Sequence, residues 1–198
     1  AIASNAPYVF QEQDATVAEL LKSAGYATGG VGKWAMADAD GNGHPNDNGF
    51  DFWMGYLNQS NAHNYYPLYL WQNREKVSLE GNVLYEKDSR NRGRVAKERV
   101  VWSHDVMTDA ALKFIRANAE KPFLLHVHWT IPHANNEGGR VTGDGMEVPD
   151  YGEYADQDWP NPEKGFAAMV SRMDGDVGRI VELLKELELE DQTLIFFT

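Results

Sequence analysis

Apolar residues recur at helical spacing in several stretches of the chain, with short β-compatible runs between them. Thr16 followed by Glu19 makes a capping box, Val17, Leu20 and Leu21 supply an apolar stripe, and Gly25 suits the position just past a helix end, so a short helix is expected there. It leads into a strand at Tyr26 to Val31 and then Gly32-Lys33-Trp34. Asp38 to Asn48 is Asp, Gly, Asn and Pro, which predicts a surface loop. Gly49 to Tyr56 is aromatic and punctuated by Gly, and reads as irregular and half-buried. Leu68 to Gln72 and Glu75 to Leu79, joined through Asn73-Arg74, predict a small hairpin over 68–79 lying outside the main sheet.

In the second half, Val106, Ala110, Phe114 and Ile115 give helical spacing over Asp105 to Asn118, ended by Lys121-Pro122, and a strand follows at Phe123 to Trp129. Residues 134–160 form a long loop rich in acidic residues, Gly and aromatics. Asn161-Pro162 is an N-cap with Pro at the first helical position, and Phe166, Met169, Val170, Met173, Val177, Ile180, Val181, Leu184 and Leu187 predict one long amphipathic helix. The chain closes on Leu194-Ile195-Phe196-Phe197-Thr198, which reads as a buried strand. Alternating helices and strands of this kind predict an α/β fold with a mainly parallel sheet covered by helices on both faces. In such sheets a site lies beyond the carboxyl ends of the strands. Lys33 and His133 both follow strands closely, so both are expected on one rim.

Composition narrows the chemistry. The chain has 198 residues, 42% of them hydrophobic and 12% aromatic, which is enough for a real core. A formal charge of -12 repels phosphate backbones and anionic membrane surfaces, so nucleic acid and membrane are not expected partners. An anionic substrate has to be captured by a local cluster of Lys and His. Cysteine is absent, which excludes disulfides and thiol catalysis within this stretch. No run approaches the roughly 20 apolar residues that cross a bilayer.

Several short motifs fail on inspection. Gly29-Gly30-Val31-Gly32-Lys33 resembles a phosphate loop but has Ala27 and Trp34 where a Walker sequence needs Gly and Ser or Thr. Asp38-x-Asp40-x-Asn42-Gly43 opens like a calcium loop, yet its twelfth position is Gly49 instead of a bidentate Glu. His126 and His128 share a strand face but have no third ligand in view, and they read as structural. Asp144, Glu147, Asp150, Glu153, Asp156 and Asp158 read as a solvated surface.

The stretch Thr16-Val-Ala-Glu-Leu-Leu-Lys-Ser-Ala-Gly-Tyr-Ala-Thr with Val31-Gly-Lys-Trp34 resembles sulfatases, as do five later blocks in the family's order. These are Gly49-Phe50-Asp51 with Gly55-Tyr56, Asn64-Tyr65-Tyr66-Pro67, Lys121-Pro122-Phe123, Ile131-Pro132-His133, and Met173-Asp174-Gly175-Asp176-Val177-Gly178. The resemblance implies the alkaline-phosphatase-like fold, truncated at both ends, with 1–198 forming part of one catalytic domain that hydrolyses sulfate esters of carbohydrate or aryl type. It implies a formylglycine nucleophile and a Ca²⁺ site whose residues lie outside this segment, so no metal ligand is expected within it and the chain alone is expected to be inactive. It further implies a periplasmic or secreted parent. By the same resemblance Lys33 matches the sulfate-contacting Lys of the family's G-K-W and His133 the sulfate-contacting His of its P-H. Ala35 stands where many members carry His, which leaves His133 and His44 as candidates to assist the leaving oxygen. His63 and Asn64, in an aromatic and polar segment, are expected near the rim as substrate-binding residues. A phosphodiester or phosphonate-ester hydrolase, a non-catalytic anion-binding module, and a homodimer formed through exposed sheet edges stay open at this stage.

Overall fold

A computed structural model describes residues 13–36, 43–88 and 94–198; the Asp38 to Asn42 part of the expected loop lies outside the described residues. Helix α1 (Val17–Ser23) starts on the expected capping box, with the Glu19 amide donating to Thr16 Oγ1 at 3.0 Å and the Thr16 amide to Glu19 Oε2 at 2.8 Å. Its buried residue is Ala18, not the apolar stripe: Val17 and Leu20 are 51% and 65% exposed. The small side chain lets the loop at Gly49 pack against the helix, where Thr16 Oγ1 donates to the Asn48 carbonyl.

Strand β1 (Ala27–Lys33) follows, then β2 (Phe52–Tyr56), β3 (Tyr69–Gln72), β4 (Glu75–Ser78), the short pair β5 (Val83–Leu84) and β6 (Ala96–Glu98), helix α2 (Ser103–Ala117) and strand β7 (Phe123–His128). The main sheet has the order β4-β3-β2-β1-β7, with β1 parallel to both neighbours and the β3-β4 hairpin antiparallel at one side. The sheet departs from expectation at two places. The segment at Gly49 to Tyr56 is not irregular throughout, because Phe52 to Tyr56 pairs with Gly29 to Lys33 as a central strand. The hairpin is not outside the main sheet but extends it, since Met54 and Gly55 pair with Gln72 and Trp71, and fully buried Leu70 joins the core of Val31 and Met54.

Helices cover both faces. On one, α2 lays Met107, Ala110 and Ala111 on Val31 and Met54, and α4 (Asn161–Glu186) packs behind it through Leu183 and Leu184 against Ile115 and Phe123. On the other, α1 and a slab of Trp34, Phe50, Trp53 and Leu57 complete a second core. The long 134–160 segment contains α3 (Asn136–Thr142) and a short 3₁₀ turn at Gly152–Tyr154. Leu194 to Phe197 forms no strand and is 53% to 83% exposed; apolar character alone makes no ladder without a paired edge.

A buried pair fastens α2 to α4. His104 Nε2 lies 2.7 Å from Asp176 Oδ2, and Arg179 Nη1 donates to the other carboxylate oxygen at 2.8 Å. Burial opposes ionisation of Asp176, but the hydrogen bonds from His104 and Arg179 outweigh it and hold the carboxyl below its usual range. A group whose folded pKa is lowered stabilises the fold above its unfolded pKa and loses that contribution as pH falls through the folded value. Asp176→Asn is therefore expected to cost about 2 kcal/mol at neutral pH and to flatten the fall in stability below about pH 4, as read by urea unfolding across a pH series.

Candidate functional site

Because β1 is parallel to β2 and β7, with Gly32 in register with both Gly55 and His128, all three strands release their chains at the same edge. Lys33 is the last residue of β1, half-buried and paired with Tyr56. The backbone after it is fixed: the Trp34 amide donates to the Tyr56 carbonyl at 2.9 Å, and the Trp34 indole to the Gly43 carbonyl at 2.6 Å. Trp34 also meets Phe50 and Trp53 edge-on at 5.5 and 5.3 Å between ring centroids, so the strand end carrying Lys33 sits on a rigid aromatic base. Ala35 has φ 67, a left-handed conformation uncommon for a residue with a Cβ.

His133 lies five residues beyond the end of β7, after a cis Ile131-Pro132 bond, and its side chain is exposed. The buried Tyr65 hydroxyl donates to the carbonyls of both Thr130 and His133 and so ties this turn to the core. His133 Nδ1 lies 2.6 Å from the Ala134 carbonyl oxygen, which makes Nδ1 the donor and leaves Nε2 as the free nitrogen.

The structure brings His63 to this turn. Its ring lies parallel to that of His133, 5.2 Å between centroids and 16° between planes. His63 Nδ1 is 2.9 Å from Glu137 Oε2, and Arg94 Nη1 is 3.3 Å from Glu137 Oε1. Burial disfavours the Glu137 carboxylate, but the His63 hydrogen bond and the charges of His63 and Arg94 outweigh this and keep it below its usual range. Asn64 is placed differently: it is buried, its Oδ1 accepts from the Tyr66 amide at 2.9 Å, and its carbonyl accepts from Tyr56. It contributes to the wall of an open depression with Tyr56, Tyr69, Trp71 and Arg94.

His44 is not brought to the rim. It is buried, its Nδ1 accepts from the Asn46 amide, and Asn46 in turn bonds Phe50 and the Asn73 turn, which lie where β2 begins. Burial, and then the charge of Arg74, hold its pKa below the usual imidazole range. That position lies toward the start of β2, whereas Lys33 ends β1.

Glu137 and Arg94 escaped sequence reading. Glu137 sits in what reads as an acidic surface loop; the signal was Asn135, which caps α3 through the Gly138 amide at 3.0 Å and turns the following Glu inward. Glu147, read as solvated, is also buried, with Arg99 Nη2 and Asn135 Nδ2 on its two oxygens at 2.8 and 2.9 Å. His126 and His128 face each other at 5.2 Å, and among the described residues no group of three or more His, Asp or Glu stands close enough to hold a metal ion. Among those residues, likewise, no helix is long and apolar enough to cross a membrane.

The chain is 29% identical over 196 residues to N-acetylgalactosamine-6-sulfatase of Canis lupus familiaris, covering 94% of this chain and 32% of that protein. To the arylsulfatase of Hemicentrotus pulcherrimus it is 28% identical, covering 94% of this chain and 31% of the relative. The chain thus spans about a third of the length of these relatives. A crystal structure of Ps i-CgsB with k-i-k-neocarrahexaose superposes with a TM-score of 0.70 over 94% of this chain and 40% of that one, at 22% identity, which speaks to the fold. The profile of the family described as Sulfatase matches residues 4–198, and with an α/β sheet of the same kind this chain belongs to the sulfatase family.

Proposed function

We propose that this chain is the segment of a sulfatase that supplies two sulfate-contacting groups, Lys33 and His133, for hydrolysis of a sulfate ester. The observation that supports the reading is that β1, which ends at Lys33, and β7, which ends five residues before His133, are adjacent parallel strands, although a long stretch of sequence separates them. Sulfuryl transfer spreads negative charge over peripheral oxygens, and a fixed cation aimed at them lowers the barrier as in phosphoryl transfer. Lys33 supplies that charge, and Nε2 of His133 supplies a hydrogen bond when the ring is doubly protonated, since Nδ1 already donates to the Ala134 carbonyl. A sulfated carbohydrate is the favoured substrate class, because the dog relative is named for a sulfated amino sugar and Ps i-CgsB binds a neocarrahexaose. The nucleophile, a formylglycine in this reading, and the Ca²⁺ ligands belong to the rest of the parent protein, which is periplasmic or secreted.

The test compares two proteins. Full-length parent is expected to hydrolyse 4-nitrocatechol sulfate, and purified residues 1–198 are expected to show no turnover. A parent that cleaves bis(4-nitrophenyl) phosphate faster than any sulfate ester would move the reading to phosphodiester hydrolysis.

A further inference from the structure

Of the two stacked imidazoles at the rim, one has a carboxylate behind it and the other a peptide carbonyl. His133 Nδ1 meets the Ala134 carbonyl at 2.6 Å, which fixes its tautomer but offers no countercharge. His63 Nδ1 meets Glu137 Oε2 at 2.9 Å, with Glu137 itself only 4% exposed and its second oxygen taken by Arg94 at 3.3 Å. A buried carboxylate on Nδ1 orients an imidazole, places its transferable proton on Nε2 and stabilises the ring when it is doubly protonated. The described charged or titratable groups at this point are His63, His133, Glu137 and Arg94, with the Tyr65 hydroxyl bound to the His133 carbonyl. Residue 35, beside Lys33, is an alanine and has no proton to give.

We propose that His63, held by Glu137, is the general acid that protonates the leaving oxygen, while His133 beside it binds the sulfuryl group. This rests on the sulfatase reading above. As the parent's oxygen nucleophile bonds to sulfur, the bond from sulfur to the bridging oxygen breaks and its electron pair stays on that oxygen. The proton on His63 Nε2 passes to the same oxygen, the alcohol departs, and neutral His63 regains a proton from water. Glu137 touches no reacting atom and is a positioning residue. The arrangement favours substrates with a basic leaving oxygen, such as a sugar hydroxyl, over aryl sulfates, because proton donation matters most when the departing oxygen is basic.

The experiment uses full-length protein and two substrates, 4-nitrocatechol sulfate as the good leaving group and N-acetylgalactosamine 6-sulfate as the poor one. His63→Phe keeps a ring against His133 without a proton, His63→Gln keeps polarity without one, and circular dichroism melts select variants folded like the parent. Both are expected to lower kcat about a hundredfold on the sugar sulfate and less than about fivefold on the aryl sulfate, with Glu137→Gln following the same direction at about tenfold. Equal losses on both substrates, or a change in KM alone, overturn the assignment while leaving the sulfatase reading intact. Failure of the parent itself to cleave either sulfate ester overturns both.

Discussion

Lys33→Ala in the full-length protein is expected to lower kcat/KM for sulfate esters by a few hundredfold, about 3 to 4 kcal/mol, the loss typical of one preorganised transition-state donor. The strand end that carries the cation is fixed by its neighbours. Lys33 closes a strand paired on both sides of the preceding residue, its ladder partner Tyr56 is buried and bonded to Ser103 at 2.7 Å, and Trp34 is clamped by the Gly43 carbonyl. A strand end held this way needs little backbone reorganisation when negative charge develops on the sulfuryl oxygens, so the effect should fall mainly on kcat. Unlike His63→Phe, Lys33→Ala should slow aryl and sugar sulfates alike, since peripheral oxygens gain charge whatever the leaving group. Steady-state kinetics on both substrates decide it, and a loss below tenfold would remove Lys33 from the transition state.

Gly32→Ala is expected to be the most damaging single methyl in the sheet, costing at least about 4 kcal/mol or preventing soluble expression. Gly32 has φ +108, and a Cβ there would lie 1.9 Å from the His128 carbonyl oxygen, a backbone atom held in the β1-β7 ladder. Its neighbour across β2 is Gly55, where a Cβ would lie 2.0 Å from the Gly32 carbonyl oxygen. The three strands therefore meet at the rim through bare backbone. Gly143→Ala is the control: it has φ +83 but open space around it, so only the conformational term of about 1 kcal/mol applies. Urea unfolding of the two variants separates close approach from backbone preference, and equal losses would contradict the packing argument.

The sequence by itself determined the elements whose signals are local. Thr16 and Glu19 satisfy each other across one helical turn, and the apolar spacing after Asn161-Pro162 is met by a helix ending at Glu186. The parallel arrangement of β1 and β7 also followed. What the tertiary structure decided depends on partners far away in the chain. Phe52 to Tyr56 becomes a strand because β1 offers it a ladder, and Val17 and Leu20 stay exposed because the loop at Gly49 docks on Ala18 instead. Glu147 is buried because Arg99 and Asn135 converge on it, and no pattern around residue 147 announces them. His63 and Glu137 meet across 74 residues, so their pairing was invisible to any local window. Periodicity and capping report the preferences of a segment for its own conformation, whereas burial of a charge and pairing of an edge are set by whichever distant groups the completed fold brings within reach.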